Sequence, residues 1–277
     1  MLLQHGTPHD HETNAGDTAL TLACTRGHVP TVGALLQHGA YVDKETKLGL
    51  TPLIAAVEHD QAEVISALAA CGAQLDYETE RNPRSALTAA AGGNRVSAIA
   101  ALVRAGALVD LQVTDGYVTA MMEAAAGGHV AAMVQLVRCR ADINLEAKCG
   151  KTALMYAAAA NHANICSALV ACGAVVNVET RKSETALTAA AAAAAVDVLK
   201  VLIEAADFHD FETREFETVM QATARIGHVD IVRELSYMGE SVSYESRDGR
   251  TALMSAARTL NVGATEVVVG LCKVECS

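Results

Sequence analysis

Three stretches of the chain carry residue types that could bind a phosphate, hold a metal ion or move a proton. Gly150-Lys151-Thr152 has the ending of a phosphate-binding loop, in which backbone N–H groups and a lysine cradle phosphate oxygens. His9-Asp10-His11-Glu12 offers nitrogen and oxygen ligands of the kind that zinc accepts. Histidine is also the commonest general base, and it recurs at His28, His129, His162 and His228.

The surroundings of these residues favour structural roles. A phosphate-binding loop needs a glycine five residues before Gly150, and Leu145 stands there. The stretch around His11 is a predicted surface hairpin without distant partner ligands. The four histidines share one position of a repeated pattern, just after a turn, where an imidazole is expected to bond to neighbouring backbone. No Ser/His/Asp or Cys/His set stands apart from that pattern, so the sequence predicts no enzyme, no catalytic residue, no cofactor and no metal site.

The element that positions all of these residues is a repeat of 33 or 34 residues. Each unit opens on a threonine or serine followed by small and apolar residues, as in the letters TALMYA. The openings fall at Thr18, Thr51, Ser85, Thr119, Thr152, Thr185, Thr218 and Thr251. A second marker keeps the same spacing: LLQHGA at Leu35, LAACGA at Leu68, LVRAGA at Leu102, LVRCRA at Leu136 and LVACGA at Leu169. Self-similarity at this period indicates stacked supersecondary units.

With two markers in register, the chain resembles the ankyrin-repeat family over nearly its whole length. The resemblance implies an all-α fold, a solenoid of stacked helix-turn-helix units with hairpin fingers. It predicts about eight repeats in a single array over residues 1–277, with a partial repeat at 1–13 and an irregular C-terminal repeat. The family's T-P-L-H opening has lost its histidine in every unit, and Pro52 alone keeps the proline. Because the array starts inside a repeat, we expect a fragment or a degenerate N-terminal end.

The markers of the repeat have physical reasons. The opening hydroxyl can accept a hydrogen bond from an otherwise unpaired N–H of the first helical turn. The turn between two helices needs a left-handed residue, which Gly, Asn and Asp tolerate best. That position holds Gly27, Asp60, Asn94, Gly128, Asn161 and Gly227, but also Ala194 and Leu260. Glycine ends most second helices, with Arg140 and Ala206 as exceptions. Since Ala194 and Ala206 fall in one unit, we expect that unit to be the weakest joint.

Composition argues against several classes of protein. A net charge of −11 and a pI near 5.3 argue against a nucleic-acid binder, which would carry a basic stripe, and favour a partner with a basic surface. No run reaches the roughly 18 apolar residues of a membrane span, and no secretory signal is recognisable. The eight cysteines lack CxxC spacing, and several follow repeat positions. We therefore expect reduced thiols and a cytoplasmic chain, with the nucleus as the alternative.

A column of acids follows the predicted fingers. A glutamate lies six residues before most openings, at Glu12, Glu45, Glu146, Glu179, Glu212 and Glu245, with Glu78 equivalent after an insertion. Two residues later the column is mostly basic: Lys47, Lys148, Arg181, Arg214 and Arg247. Two interpretations stay open, a charge ladder between repeats on a solvated edge or an acidic strip that docks a basic peptide. Insertions within Glu80–Arg84 and Asp115–Val118 lengthen two neighbouring fingers.

The resemblance also points to a binding surface, because the residues before the interhelical turn line the inner face of an ankyrin array. Four consecutive central units carry only Gly or Ala there, whereas the end units carry polar or bulky residues. We predict a trough in the concave face that lets a partner's backbone approach closely. The predicted partner-binding residues are Arg26, Glu58, His59, Gly92, Gly93, Ala126, Gly127, Ala159, Ala160, Ala192, Ala193, Arg225 and Arg258. Low-complexity drift toward alanine is the alternative explanation.

The sequence thus predicts a non-catalytic scaffold or adaptor that binds a protein partner, with a basic or extended segment, on its concave face and finger tips. The alternative is a targeting or structural region of a larger enzyme or multi-subunit assembly. Neither interpretation identifies the partner, the pathway or the oligomeric state.

Overall fold

The computed structural model describes residues 11–14, 16–80, 83–206 and 218–275. These residues form sixteen helices, which confirms the all-α prediction. In chain order they are α1 (Ala19–Thr25), α2 (Val29–Gln37), α3 (Pro52–Glu58), α4 (Ala62–Ala70), α5 (Ala86–Gly92), α6 (Val96–Ala105), α7 (Ala120–Ala126), α8 (Val130–Arg138), α9 (Ala153–Ala159), α10 (Ala163–Ala171), α11 (Ala186–Ala192), α12 (Val196–Ala206), α13 (Val219–Ile226), α14 (Val229–Tyr237), α15 (Ala252–Arg258) and α16 (Val262–Glu275).

Some of the residues named in the sequence predictions lie outside the described ranges. Most of the predicted partial repeat, including His9 and Asp10, lies outside the described residues. The same holds for Glu212 and Arg214 of the finger columns and for two residues of the first insertion.

Each odd-numbered helix begins directly after a predicted opening residue. The hydroxyl of Thr51 accepts a hydrogen bond from the N–H of Ile54 at 3.2 Å. Equivalent caps are present at Thr18, Ser85, Thr119, Thr185, Thr218 and Thr251. Thr152 differs, because its buried Oγ1 has no hydrogen-bond partner among the described residues. These helices have seven or eight residues, so caps and tertiary packing must stabilise them.

The core combines alanines and large apolar residues of the odd-numbered helices with large apolar residues of the even-numbered helices. Ala56, Ala90, Ala124 and Ala157 are completely buried, which lets neighbouring backbones approach closely. The even-numbered helices bury the leucine that opens the second sequence marker, at Leu35, Leu68, Leu102, Leu136, Leu169, Leu202 and Leu235. Removing such a side chain from water stabilises the fold by about 1.5–3 kcal/mol per residue.

The turns between paired helices are left-handed at every predicted position. The backbone φ angles lie between 54° and 96° at Gly27, Asp60, Asn94, Gly128, Asn161, Ala194, Gly227 and Leu260. Arg140 also has a left-handed φ of 64°, whereas the glycines at its position in other repeats have φ angles between 86° and 105°. Ala194, Leu260 and Arg140 therefore keep the left-handed region that glycine occupies in other repeats. A residue with a Cβ atom is strained there by about 1 kcal/mol, which supports the predicted weakness at Ala194.

The chain divides into two compact units, Met1–Asp142 and Ile143–Ser277. In the first unit, α1, α3, α5 and α7 pack in sequence as one layer, and α2, α4, α6 and α8 form a second layer. In the second unit, α9, α11, α13 and α15 form the equivalent first layer, and their partners α10, α12, α14 and α16 pack against them. The prediction of one array over residues 1–277 stays a prediction.

Candidate binding surface

The predicted partner-binding residues all lie at the C-terminal ends of odd-numbered helices. Glu58 is half-buried, and the other residues of the set are exposed. In the first unit they are Arg26, Glu58, His59, Gly92, Gly93, Ala126 and Gly127; in the second unit they are Ala159, Ala160, Ala192, Ala193, Arg225 and Arg258. Each unit therefore presents its own set of these positions to solvent.

The fingers between the helix pairs are tight turns closed by backbone hydrogen bonds. In regular fingers the bond joins residues four apart, as from the N–H of Thr46 to the carbonyl of Leu50 at 3.0 Å. In the two lengthened fingers it joins residues five apart. Thr79 donates to Arg84 at 3.4 Å, and Val113 donates to Val118 at 3.1 Å. Each insertion therefore widens one turn by one residue and leaves the closing bond in place.

A cavity of about 800 Å³ opens in the first unit between the two lengthened fingers and the ends of α3, α5 and α7. We call it the finger pocket. Four predicted residues line it: Glu58, His59, Gly92 and Gly93. The lengthened fingers contribute Pro83, Arg84, Val113, Asp115 and Val118, and Thr88, Ala89, Arg95 and Glu123 complete the lining. The structure thus joins part of the predicted surface to both insertions at a single site.

One ion pair forms the wall of the finger pocket. Nη2 of Arg84 lies 2.6 Å from Oε1 of Glu58, and both side chains remain more than a third exposed. The pair fixes the position of the inserted finger against α3, although an exposed pair adds little stability. Across the pocket, partial removal from water raises the pKa of the Glu123 carboxyl, and the Arg84 charge acts in the opposite direction.

Side chains from neighbouring positions lie over the two glycines at the floor of the finger pocket. A Cβ atom placed on Gly92 would lie 3.4 Å from Oε2 of Glu123. A Cβ atom placed on Gly93 would lie 3.3 Å from Cγ of Arg95. Charged side chains from neighbouring positions therefore extend over the bare backbone, because the glycines leave room for them.

In the second unit the same positions are alanines instead of glycines. Ala159, Ala160, Ala192 and Ala193 are exposed at the ends of α9 and α11. Arg225 is in the last turn of α13, and Arg258 ends α15. The second unit therefore has four exposed alanines on its first two repeats and an arginine at the equivalent place on each of the next two.

Two of the four recurring histidines, His129 and His228, bond to backbone as predicted. Nε2 of His129 lies 2.8 Å from the carbonyl oxygen of Gly92, and Nε2 of His228 lies 3.4 Å from that of Ala192. A side chain on Gly127 would lie 2.6 Å from the His129 ring, so this glycine leaves space for the contact. The bonds tie the start of one repeat's second helix to the end of the preceding repeat's first helix. They give these histidines a structural role.

The acids of the finger column bind backbone N–H groups in the first unit. Oε2 of Glu12 accepts from the N–H of Lys47 at 3.1 Å. Glu45 and Glu78 accept in the same way from Glu80 at 3.1 Å and Thr114 at 2.9 Å. In this unit the acids thus link neighbouring fingers through main-chain donors, since a backbone N–H in a turn needs an acceptor. The charge ladder and the peptide-docking strip both stay predictions.

A second ladder was not foreseen from the sequence. Oδ1 of Asp43, Asp76 and Asp110 each accepts, at 3.0 Å, from the backbone N–H at the start of the next finger. In the second unit Asn144 takes this role toward Val175 at 2.9 Å. The signal was the recurrence of Asp or Asn three residues after each GA or RA pair.

The phosphate and metal look-alikes have structural explanations. Gly150 turns a finger with φ 82°, Lys151 pairs with Glu184 at 2.7 Å, and Thr152 precedes a helix of seven residues. Over the described ranges, no group of His, Cys, Asp and Glu side chains could hold a metal ion. Across the same part of the chain, no helix has the length and apolar character needed to cross a membrane.

Comparison with known proteins agrees with the fold. The family described as "Ankyrin repeats (3 copies)" matches residues 1–79 and 121–212. No curated protein matches the chain. The family match confirms the resemblance drawn from the two repeat markers, and the total of about eight repeats stays a prediction.

Proposed function

The chain belongs to the ankyrin-repeat family, and from that premise we propose that it is a non-catalytic adaptor or scaffold that binds a segment of a partner protein. Ankyrin repeats are generally protein–protein interaction modules. The proposed contact surface is the exposed end of the odd-numbered helices together with the adjoining fingers. The observation that supports it most directly is the finger pocket, where Glu58, His59 and the Gly92–Gly93 floor meet the two lengthened fingers.

The position of the first unit's lengthened fingers supports the choice of this surface. Both insertions border one pocket. Arg84 is held toward α3 by Glu58, so the finger adjoins the helix ends. Loops held on a rigid scaffold are where binding residues concentrate.

The chemistry of the described side chains favours binding over catalysis. The histidines that could act as bases at His129 and His228 contact carbonyl oxygens of the preceding repeat. The lysine of the phosphate-loop look-alike, Lys151, pairs with Glu184. Both residue types are therefore engaged in holding repeats together.

Site-specific photocrosslinking tests the proposal in each unit. A diazirine amino acid would replace Ala89 in the finger pocket or Ala160 on the second unit's surface. Matched controls would replace the exposed residues Ser97 on α6 and Ser167 on α10. We expect a specific crosslinked partner at Ala89 or Ala160 and none at the two serines. Equal capture at all four positions would contradict a defined binding surface.

A double substitution supplies an independent test of the second unit. Ala159→Arg with Ala160→Glu would fill the small-residue surface with long side chains. We expect a partner crosslinked at Ala192 to be lost from this variant. Retention of that partner would exclude the alanine surface and move the search to the fingers.

A further inference from the structure

The finger pocket contains a carboxylate that no cation of the described residues neutralises directly. Glu123 makes no ion pair and no side-chain hydrogen bond in that part of the chain. Arg84 lines the same pocket, but its guanidinium is bonded to Glu58 at 2.6 Å. Partial desolvation raises the pKa of the Glu123 carboxyl and the Arg84 charge lowers it, while the residue as a whole stays exposed to solvent.

The position of this carboxylate makes it reachable by a ligand. Oε2 of Glu123 lies over Gly92, within 3.4 Å of the place where a Cβ atom would stand. Arg95 borders the adjacent Gly93, so an acid and a base flank a floor without side chains of its own. A partner segment that lies over this floor would therefore meet the Glu123 carboxylate above Gly92 and the Arg95 side chain above Gly93.

The charges of the pocket determine which side chain fits at Glu123. The lining has three carboxylates, at Glu58, Asp115 and Glu123, and two guanidinium groups, at Arg84 and Arg95. One added cation would balance them. The net charge of −11 attracts basic partners over a longer range.

We propose that the finger pocket binds the guanidinium or ammonium group of an arginine or lysine in an extended partner segment, with Glu123 as the direct counter-ion. Asp115 on the neighbouring finger is the second acid, and Arg95 donates to a carbonyl oxygen of the same segment. This inference rests on the proposed function and narrows it to a basic partner segment at one site.

A small probe tests the pocket without knowledge of the partner. The isotope-labelled chain would be titrated with N-acetyl-arginine methylamide, and backbone amide shifts would be followed by NMR. The control probe is N-acetyl-citrulline methylamide, which has the same shape but no charge. We expect saturable shifts at Gly92, Gly93 and Glu123 with the arginine probe and none with the citrulline probe.

Matched variants separate the counter-ion from the overall charge. Glu123→Gln should weaken the arginine probe about tenfold, the loss typical of one charge-assisted hydrogen bond. Glu63→Gln removes the same charge from the exposed start of α4, outside the pocket, and should leave binding unchanged. Circular dichroism would show that both variants fold.

Three results would overturn the proposal: no localised shifts at the solubility limit, equal shifts with citrulline, or equal binding by Glu123→Gln and Glu63→Gln. The proposed function has a separate readout. If the arginine probe fails while a partner still crosslinks at Ala89, the basic-segment proposal is wrong and the adaptor function stands. If the probe binds but no partner crosslinks at Ala89 or Ala160, the pocket chemistry stands and the adaptor function fails.

Discussion

The first and second units fill equivalent surface positions with different small residues. The first unit has Gly92 and Gly93, and the charged side chains of Glu123 and Arg95 extend over them. The second unit has Ala159 and Ala160, whose own methyl groups are exposed. Glycine therefore produces a polar pocket with charges drawn from neighbours, whereas alanine produces a plain apolar surface. A similar sequence pattern thus gives two chemically different surfaces. Whether the two units also differ in their interiors can be measured.

Thiol reactivity should show the largest effect and test whether the interiors are alike. Burial raises the pKa of Cys24 in the first unit and of Cys166 in the second unit from 9.0 to about 12. The folded thiols should react with iodoacetamide about 1000-fold more slowly than the same thiols in the unfolded chain, because the thiolate is the nucleophile. Mass spectrometry would measure both sites, with the exposed Cys71 and Cys172 as internal references.

The same shift sets a pH dependence of stability. The unfolded thiols ionise near 9.0 while the buried thiols stay protonated to about 12. The contribution of Cys24 and Cys166 to the free energy of unfolding should therefore be constant below pH 9 and fall as the pH rises toward 12. In the labelling experiment, fast reaction of Cys24 together with slow reaction of Cys166 would show that the two units differ in how well their interiors exclude solvent.

Matched core truncations should have the next largest effect. Leu68 and Leu169 occupy the same repeat position in different units, and both are completely buried. Each Leu→Ala change should lower the free energy of unfolding by about 3 kcal/mol, from lost transfer energy and the cavity left behind. Urea unfolding followed by circular dichroism would measure both. A loss below about 1 kcal/mol in one unit only would show that its core is loosely packed.

The left-handed turns offer a reciprocal pair of substitutions with a smaller effect. Ala194→Gly in the second unit should raise the free energy of unfolding by about 1 kcal/mol, because glycine has no Cβ to strain at φ 54°. Gly128→Ala in the first unit should lower it by about the same amount, since its φ is 72°. Thermal unfolding would compare them, and equal stability of all three proteins would exclude strain at this turn.

Amide exchange would locate the effect of the Ala194 turn. We expect faster exchange around Ala194 than across Lys151–Asn177, and slower exchange there in Ala194→Gly. Equal protection of both segments in the native chain would refute the predicted weak joint.

The smallest effect is expected at the aspartate ladder. Asp76→Ala removes the acceptor of the Leu108 N–H and should lower the free energy of unfolding by about 0.5 kcal/mol, because this hydrogen bond is exposed to water. Asp76→Asn should keep most of that energy, because Asn144 fills the role in the second unit through its Oδ1 atom. Chemical unfolding of both variants measures the difference. If Asn were as harmful as Ala, the negative charge and not the acceptor would hold the first unit together.

Local features of the fold were predictable from the sequence because each depends on one residue and its own backbone. The threonine caps, the buried leucines and the left-handed turns belong to this class, including Ala194 and Leu260. The finger pocket could not be predicted in this way. Arg84 reaches Glu58 across 26 residues, and Glu123 extends over Gly92, so the surface depends on side-chain directions between repeats. The sequence prediction assigned each position only its own side chain, so it did not include the Glu123 and Arg95 side chains that extend over the glycines; the trough itself stays a prediction.

The aspartate ladder has a consequence for how such a chain can be altered. Each carboxylate binds the main chain of the next finger, so the residue at the receiving position contributes only its N–H. Gln74, Leu108 and Asp142 occupy that position with an amide, an apolar and an acidic side chain, and each receives the same bond. The hydrogen bond between repeats therefore does not depend on the side chain of the residue that donates its N–H. Side chains at these finger positions can therefore be substituted while the hydrogen bonds between repeats are kept.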